Sequence, residues 1–180
     1  MEFGLPVGSL PYDAYLQVDA HPGECTDAKH SDWIEVKQYR HNLDQKVAAS
    51  FSGSGAPASG QADHSYFWVC KEIDKASAKL AKSCLSGDAI KEITLELCTQ
   101  TGEKSPFYKV KLENAIVAAI HTVASPVPST GEALAISKPC EWIGFAYGKI
   151  EWTYTEMDHE TGAKKGDVVS HWNRKDNTGG

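Results

Sequence analysis

Tyr147-Gly148-Lys149-Ile150-Glu151-Trp152-Thr153-Tyr154 is the stretch whose reading decides the fold. It reads as the middle of a long β-strand. Upstream, Ile143, Phe145 and Tyr147 alternate with smaller residues and share one face at the two-residue period of a strand. Downstream, Ile150, Trp152 and Tyr154 alternate with Lys149, Glu151 and Thr153. The large residues are therefore odd-numbered before Gly148 and even-numbered after it, and an uninterrupted strand would turn one set into water. A β-bulge at Gly148 would add one residue and re-aim the side chains so that both sets are buried. The alternative is a strand that passes from one sheet face to another, each set buried separately. Either way the strand bends, as in a curved sheet or barrel.

Outward from this strand the same period recurs. Ile93, Leu95 and Leu97 face inward with Thr94 and Glu96 outward, then Tyr108, Val110 and Leu112 alternate with Lys109, Lys111 and Glu113. That partner strand is expected to continue, with a bend near Asn114, through Ile120. Ala14, Leu16 and Val18 mark a first strand, residues 33–39 a second with Ile34 and Val36 on one side, residues 64–73 another, and Val168 to Trp172 a last one. One segment switches period. Leu80, Ala81, Cys84 and Leu85 recur at helical spacing over residues 78–86, with Ser77 as the expected N-cap and Gly87 at the C′ position. The expectation is a mainly antiparallel β fold, barrel or two-sheet, with one short flanking α-helix. Its fold-defining residues are Ser77, Leu80, Leu95, Leu97, Gly148, Ile150, Trp152, Tyr154 and Trp172.

Two proline- and glycine-rich connections interrupt the strands. Residues 48–62 hold three Gly, four Ser and Pro57, with Phe51 the one large apolar residue, too little to bury on their own. Such a loop needs something outside the monomer to fix its shape. Residues 125–139 hold three of the eight prolines. At 180 residues the chain is expected to form one domain over 13–175, after an extension at 1–12 and before a frayed polar tail at 176–180.

Composition narrows the function. The net charge of −6 comes from mixed acidic and basic residues, without the clustered Lys and Arg that nucleic acid requires. No apolar run approaches the ~20 residues of a membrane helix. The start, Met1-Glu2-Phe3-Gly4-Leu5-Pro6, has neither the basic nor the apolar region of a signal peptide, so a cytoplasmic origin is expected. Five cysteines, an odd number with no CxxC pair, read as free thiols. The seven histidines show no metal-binding spacing, Asp63-His64-Ser65 cannot form a triad from adjacent strand positions, and no phosphate, dinucleotide or nucleophile motif occurs. The residues therefore point to no cofactor, no metal and no catalysis. Five tryptophans could instead build a sugar-stacking platform on a secreted β-sandwich binding module, although such residues more often supply core and interface area.

Several motifs together resemble the haemolysin-coregulated protein (Hcp) family of type VI secretion. They are Asp13-Ala14-Tyr15-Leu16, Pro22-Gly23-Glu24, Asp32-Trp33-Ile34-Glu35-Val36, Ile73-Asp74-Lys75-Ala76-Ser77, the strand from Ile90 to Leu97, the opening stretch above and His171-Trp172-Asn173. Ala78 stands where the family often has Pro, and residues 37–43 depart from its usual pattern. The resemblance implies a β-barrel with a flanking helix that assembles into homo-hexameric rings. The rings stack into a tube driven out of the bacterial cell by a contractile sheath behind a spike protein, with small effectors carried in the lumen. It makes the 48–62 loop and its approach the expected inter-subunit or stacking contact, through Arg40, Phe51, Gly53, Gly55, Pro57 and Gly60.

Overall fold

The computed structural model describes residues 11–46, 61–100, 104–123, 138–158 and 163–180. In chain order these form β1 (Asp13–Val18), β2 (Ile34–Glu35), β3 (Gln38–Arg40), β4 (Leu43–Asp44), β5 (Asp63–His64), β6 (Phe67–Glu72), α1 (Ser77–Ser86), β7 (Ile90–Cys98), β8 (Pro106–Val123), β9 (Cys140–Ala146), β10 (Lys149–Met157), β11 (Lys164–Asn173) and β12 (Thr178–Gly179). Every pairing is antiparallel. The first half of β8 lies between β7 and β10 in a sheet ordered β12-β11-β10-β8-β7-β1-β2, while its second half pairs with β9, which leads to β6 and β3. The two sheets are thus joined through one 18-residue strand. Among the described residues they form a two-sheet fold and not a closed barrel.

The opening stretch is where the chain changes sheet. The register runs from Ile116↔Ala146 to Glu113↔Lys149 with no added residue, so there is no bulge at Gly148. Both strands kink together. Asn114 takes a left-handed backbone, φ 52°, opposite Gly148, whose N–H reaches the carbonyls of Glu113 and Asn114 at 3.0 and 3.1 Å. Asn tolerates that conformation better than most residues. The kink reverses the inward face on both strands at once: Ala115 and Val117 are buried beyond it, Val110 and Leu112 before it. Ile143, Phe145, Tyr147 and Ile150 consequently enter one core with them, Leu80 and Leu95. The bulge nearest this corner is in β8, where Ala118 is the extra residue between Val117↔Phe145 and Ala119↔Gly144.

Other expectations shift in detail. Residues 33–39 are two strands, β2 pairing with β1 and β3 with β6. Tyr154 is 49% exposed and lies beyond the core, whereas Trp152 and Trp172 pack against it half-buried. The tail expected to fray instead pairs with β11, Trp172↔Gly179 and Asn173↔Thr178. All five cysteines are free thiols.

The helix ends as its sequence suggests, Gly87 at φ 69° donating its N–H to the Ser83 carbonyl. It does not begin so. Ala76 occupies the N-cap position without a side-chain cap, and Asp74 Oδ1 accepts from the Ala76 N–H at 2.9 Å instead. The Ser77 hydroxyl is diverted inward, donating to Glu141 at 2.7 Å and accepting from Lys71 Nζ at 3.0 Å. Lys71 is fully buried, its ammonium 2.7 Å from Asp74 and 2.9 Å from Glu141. This network clamps the helix start onto β6 and β9. Leu80 and Ser83 face the protein, and Leu85, expected on that face, is 90% exposed.

Lys71→Met would keep most of the volume but strand two carboxylates without their cation, and we expect a loss of about 3–5 kcal/mol in urea unfolding. The glycines of the opening strand separate cleanly. A Cβ at Gly144 would stand 2.9 Å from the buried Trp68 ring, whereas at Gly148 its nearest neighbour is Asn114 Cβ at 3.3 Å. Gly144→Ala should therefore cost about 1–3 kcal/mol by overpacking and Gly148→Ala less, measured by the same unfolding curves.

Candidate assembly site at the base of the long loop

The chain leaves and re-enters the described fold through a small ribbon. Leu43 pairs with His64 and Asp44 with Asp63, so β4 and β5 bring the two ends of the 48–62 loop together. Tyr147, one residue before the corner glycine, ties this ribbon down. Its hydroxyl is 2.7 Å from His41 Nε2 and 2.9 Å from His64 Nδ1. A single hydroxyl proton can serve one ring, so the other ring must donate an N–H to the oxygen. Arg174 closes the arrangement from the end of β11. Its guanidinium sits 5.2 Å from the Tyr147 ring centre, Nη1 donates to the Tyr147 carbonyl at 3.2 Å, and its backbone N–H donates to the Gly148 carbonyl at 2.9 Å. His41 also packs on Phe67, 5.3 Å between ring centres, so the ribbon is fastened directly to the core.

The electrostatics favour anchoring over chemistry. Burial, then the neighbouring His64 and Arg174, pull His41 down to about 4. Burial and then Arg174 also lower His64, with Asp63 opposing. Burial pushes Tyr147 up to about 12, against the pull of Arg174. A general base or nucleophile near neutral pH needs shifts in the opposite sense. The adjacent cleft, about 270 Å³ between His64, Tyr147, Trp172 and Arg174, is lined mainly by polar atoms.

A second exposed feature lies on β10 and β11. Pairing with β8 ends at Tyr154↔Tyr108, but β10 and β11 continue together to Met157↔Lys164. The hairpin thus projects beyond the sheet. Tyr154 and Val168, directly paired, extend the inward-facing row of Ile150 and Trp152 into solvent, and Val169, paired with Thr153, is exposed on the opposite face.

Of the residues expected in the stacking loop, Arg40 lies exposed on β3, its guanidinium 5.9 Å from the Trp142 ring. Phe51, Gly53, Gly55, Pro57 and Gly60 lie outside the described residues. Of the five tryptophans, Trp68 and Trp142 are buried and Trp33, Trp152 and Trp172 are half-buried. Three of the seven histidines, scattered in sequence, fall in two side-chain clusters: His41 with His64, and His30 with Glu96 and Cys98. No spacing rule finds them, because each set spans elements far apart in the chain. No helix among the described residues is long and apolar enough to cross a membrane.

Close two-sheet packing, and polar groups that hold segments distant in sequence together, are the marks of a structural protein. The comparisons are specific about which. The family model described as type VI secretion system effector, Hcp, matches residues 15–154. A solved structure of a type six secretion system protein is 29% identical, with a TM-score of 0.83, covering 94% of this chain and 99% of that one. Hcp1 from Salmonella typhimurium is 24% identical with a TM-score of 0.72, over 94% and 99% of the two chains. A type VI secretion system effector from Yersinia pestis is 22% identical with a TM-score of 0.65, over 89% and 99%. The last two, under 25% identical, establish the shared fold. No curated protein sequence matches the chain. The chain belongs to the Hcp family, a type VI secretion tube and effector protein without enzymatic activity.

The His41 anchor predicts acid sensitivity. With its folded value near 4 and its unfolded value near 6.5, the unfolded chain binds the proton first, so stability is lost as pH falls from about 6.5 to about 4. The urea midpoint should drop across that window in the wild type and drop less in His41→Gln. Equal slopes would assign the acid sensitivity to other groups.

Proposed function

We propose that the protein is the ring-forming subunit of a type VI secretion inner tube. Six copies close head to tail into a ring, rings stack into a tube, and the tube leaves the bacterial cytoplasm. A contractile sheath drives it behind a spike, and small effector proteins ride in its lumen. The observation that carries this reading is the family match over residues 15–154, joined to the exposed apolar end of the β10–β11 hairpin. An isolated monomer has no use for the Tyr154–Val168 pair in solvent, whereas a heterologous contact repeated around a closed ring would cover it in every copy.

The loop ribbon supports the second interface. Tyr147, His41 and His64 hold the β4–β5 ribbon at its base, so a contact between rings made through this loop would start from a fixed point.

Size-exclusion chromatography with light scattering, and negative-stain images of the peak, test both interfaces. The wild type should run as a hexamer with a central hole. Val168→Asp should shift it to monomer with unchanged circular dichroism, and deletion of residues 48–60 should leave rings that no longer stack. A wild-type monomer across a wide concentration range would overturn the proposal, and a deletion variant that stacks normally would remove the loop from it.

A further inference from the structure

His30 lies in the segment between β1 and β2, which folds across the outer face of β7. Glu96 and Cys98, two residues apart on that strand, point to the same face and away from the core residues Leu95 and Leu97. His30 Nε2 is 2.9 Å from Glu96 Oε2 and 3.9 Å from Cys98 Sγ, and the three donor atoms lie within 4.8 Å of one another. His30 and Cys98 are buried and the Glu96 side chain is nearly so. Tyr15 stacks on the imidazole at 4.1 Å and Trp33 meets it edge-on at 4.8 Å, walling the group from solvent.

The imidazole is already oriented. Its Nδ1 stands 3.0 Å from Asp27 Oδ1, and a carboxylate there accepts a hydrogen bond from Nδ1–H and aims Nε2 at Glu96. Glu96 Oε1 is occupied separately by Lys109 Nζ at 2.8 Å, which leaves Oε2 for the shared space. An imidazole nitrogen and a carboxylate oxygen at 2.9 Å need something positive between them. A proton serves that pair alone and leaves the thiol at the edge of contact. A tetrahedral metal ion serves all three atoms: bonds of about 2.0–2.3 Å set such ligands about 3.3–3.6 Å apart, a spacing that the observed 2.9 and 3.9 Å bracket.

We propose that His30 Nε2, Glu96 Oε2 and Cys98 Sγ form a zinc-class divalent metal site, with Asp27 as its positioning carboxylate. One nitrogen, one oxygen and one sulfur donor suit a borderline ion of the zinc type over calcium or magnesium, which take oxygen alone. Three protein ligands leave a fourth position for water. Cys98 binds as the thiolate, and its proton and the one between His30 and Glu96 pass to solvent. The ion would staple the β1–β2 segment to β7, so its effect is structural.

The test uses the full-length chain, stripped with a chelator and titrated with cobalt(II) as the spectroscopic stand-in. One equivalent should produce a thiolate-to-cobalt band in the near ultraviolet with the visible bands of a tetrahedral site, and zinc should bleach both. Cys98→Ser should remove the thiolate band, Asp27→Asn should weaken binding about ten- to a hundredfold, and Cys84→Ser, altering a helix thiol outside the site, should change nothing. Zinc should raise the thermal midpoint of the wild type and not of Cys98→Ser; if that variant does not fold, the reduced shift in Asp27→Asn carries the same comparison. No band at about tenfold excess cobalt, a band that survives Cys98→Ser, one lost with Cys84→Ser, or a wild-type midpoint unmoved by zinc would each overturn the proposal.

Discussion

The fold depends on a paired kink in which two hydrogen-bonded strands reverse their inward faces at the same point. Asn114 on β8 and Tyr147-Gly148 between β9 and β10 face one another there, and the register passes through unchanged. Because side chains alternate along a strand, a kink in one partner alone would break the ladder or turn a buried row into water. Kinking both keeps the hydrogen bonds and lets one 18-residue strand belong to two sheets. Ala115, Val117, Phe145 and Tyr147 on one side of the corner, and Leu112 and Ile150 on the other, then fill a single core.

Polar groups finish what the apolar core begins, and each cluster joins elements distant in sequence. Lys71, Asp74, Ser77 and Glu141 bind the helix start to β6 and β9. Tyr147, His41, His64 and Arg174 bind the loop ribbon to the corner. No buried side-chain nitrogen or oxygen among the described residues lacks a partner. Satisfied networks of this kind rigidify a fold, while a half-satisfied one costs more than an apolar replacement. Such rigidity places the exposed hairpin and the loop base at fixed positions.

The same arrangement explains why a chain rich in histidine, acids and tyrosine carries no activated group at the loop base. Burial there favours the uncharged forms of His41 and Tyr147, which can exchange hydrogen bonds but are poorly poised to transfer protons at neutral pH. The groups are spent on holding backbone segments in place, in keeping with a family of structural tube proteins.

Much of the architecture follows from the sequence because periodicity is a local property. Alternation in β1, β7 and β8, the bend at Asn114, the single helix with its glycine stop, and the change of phase at Gly148 are all legible from neighbouring residues. So is the family, through motifs spread along the chain. What tertiary structure alone decided is how that change of phase is met. A bulge and a paired kink make the same demand on one strand and differ only in its partner, so Gly148 could not reveal which applied. Ser77 looks like a cap until Lys71 and Glu141 arrive to claim its hydroxyl, and Tyr154 shares its row with Ile150 yet lies past the end of the sheet that would cover it. The joining of His41 with His64, and of His30 with Glu96 and Cys98, likewise exists only in three dimensions, because local sequence specifies which face a side chain takes and not what stands opposite it.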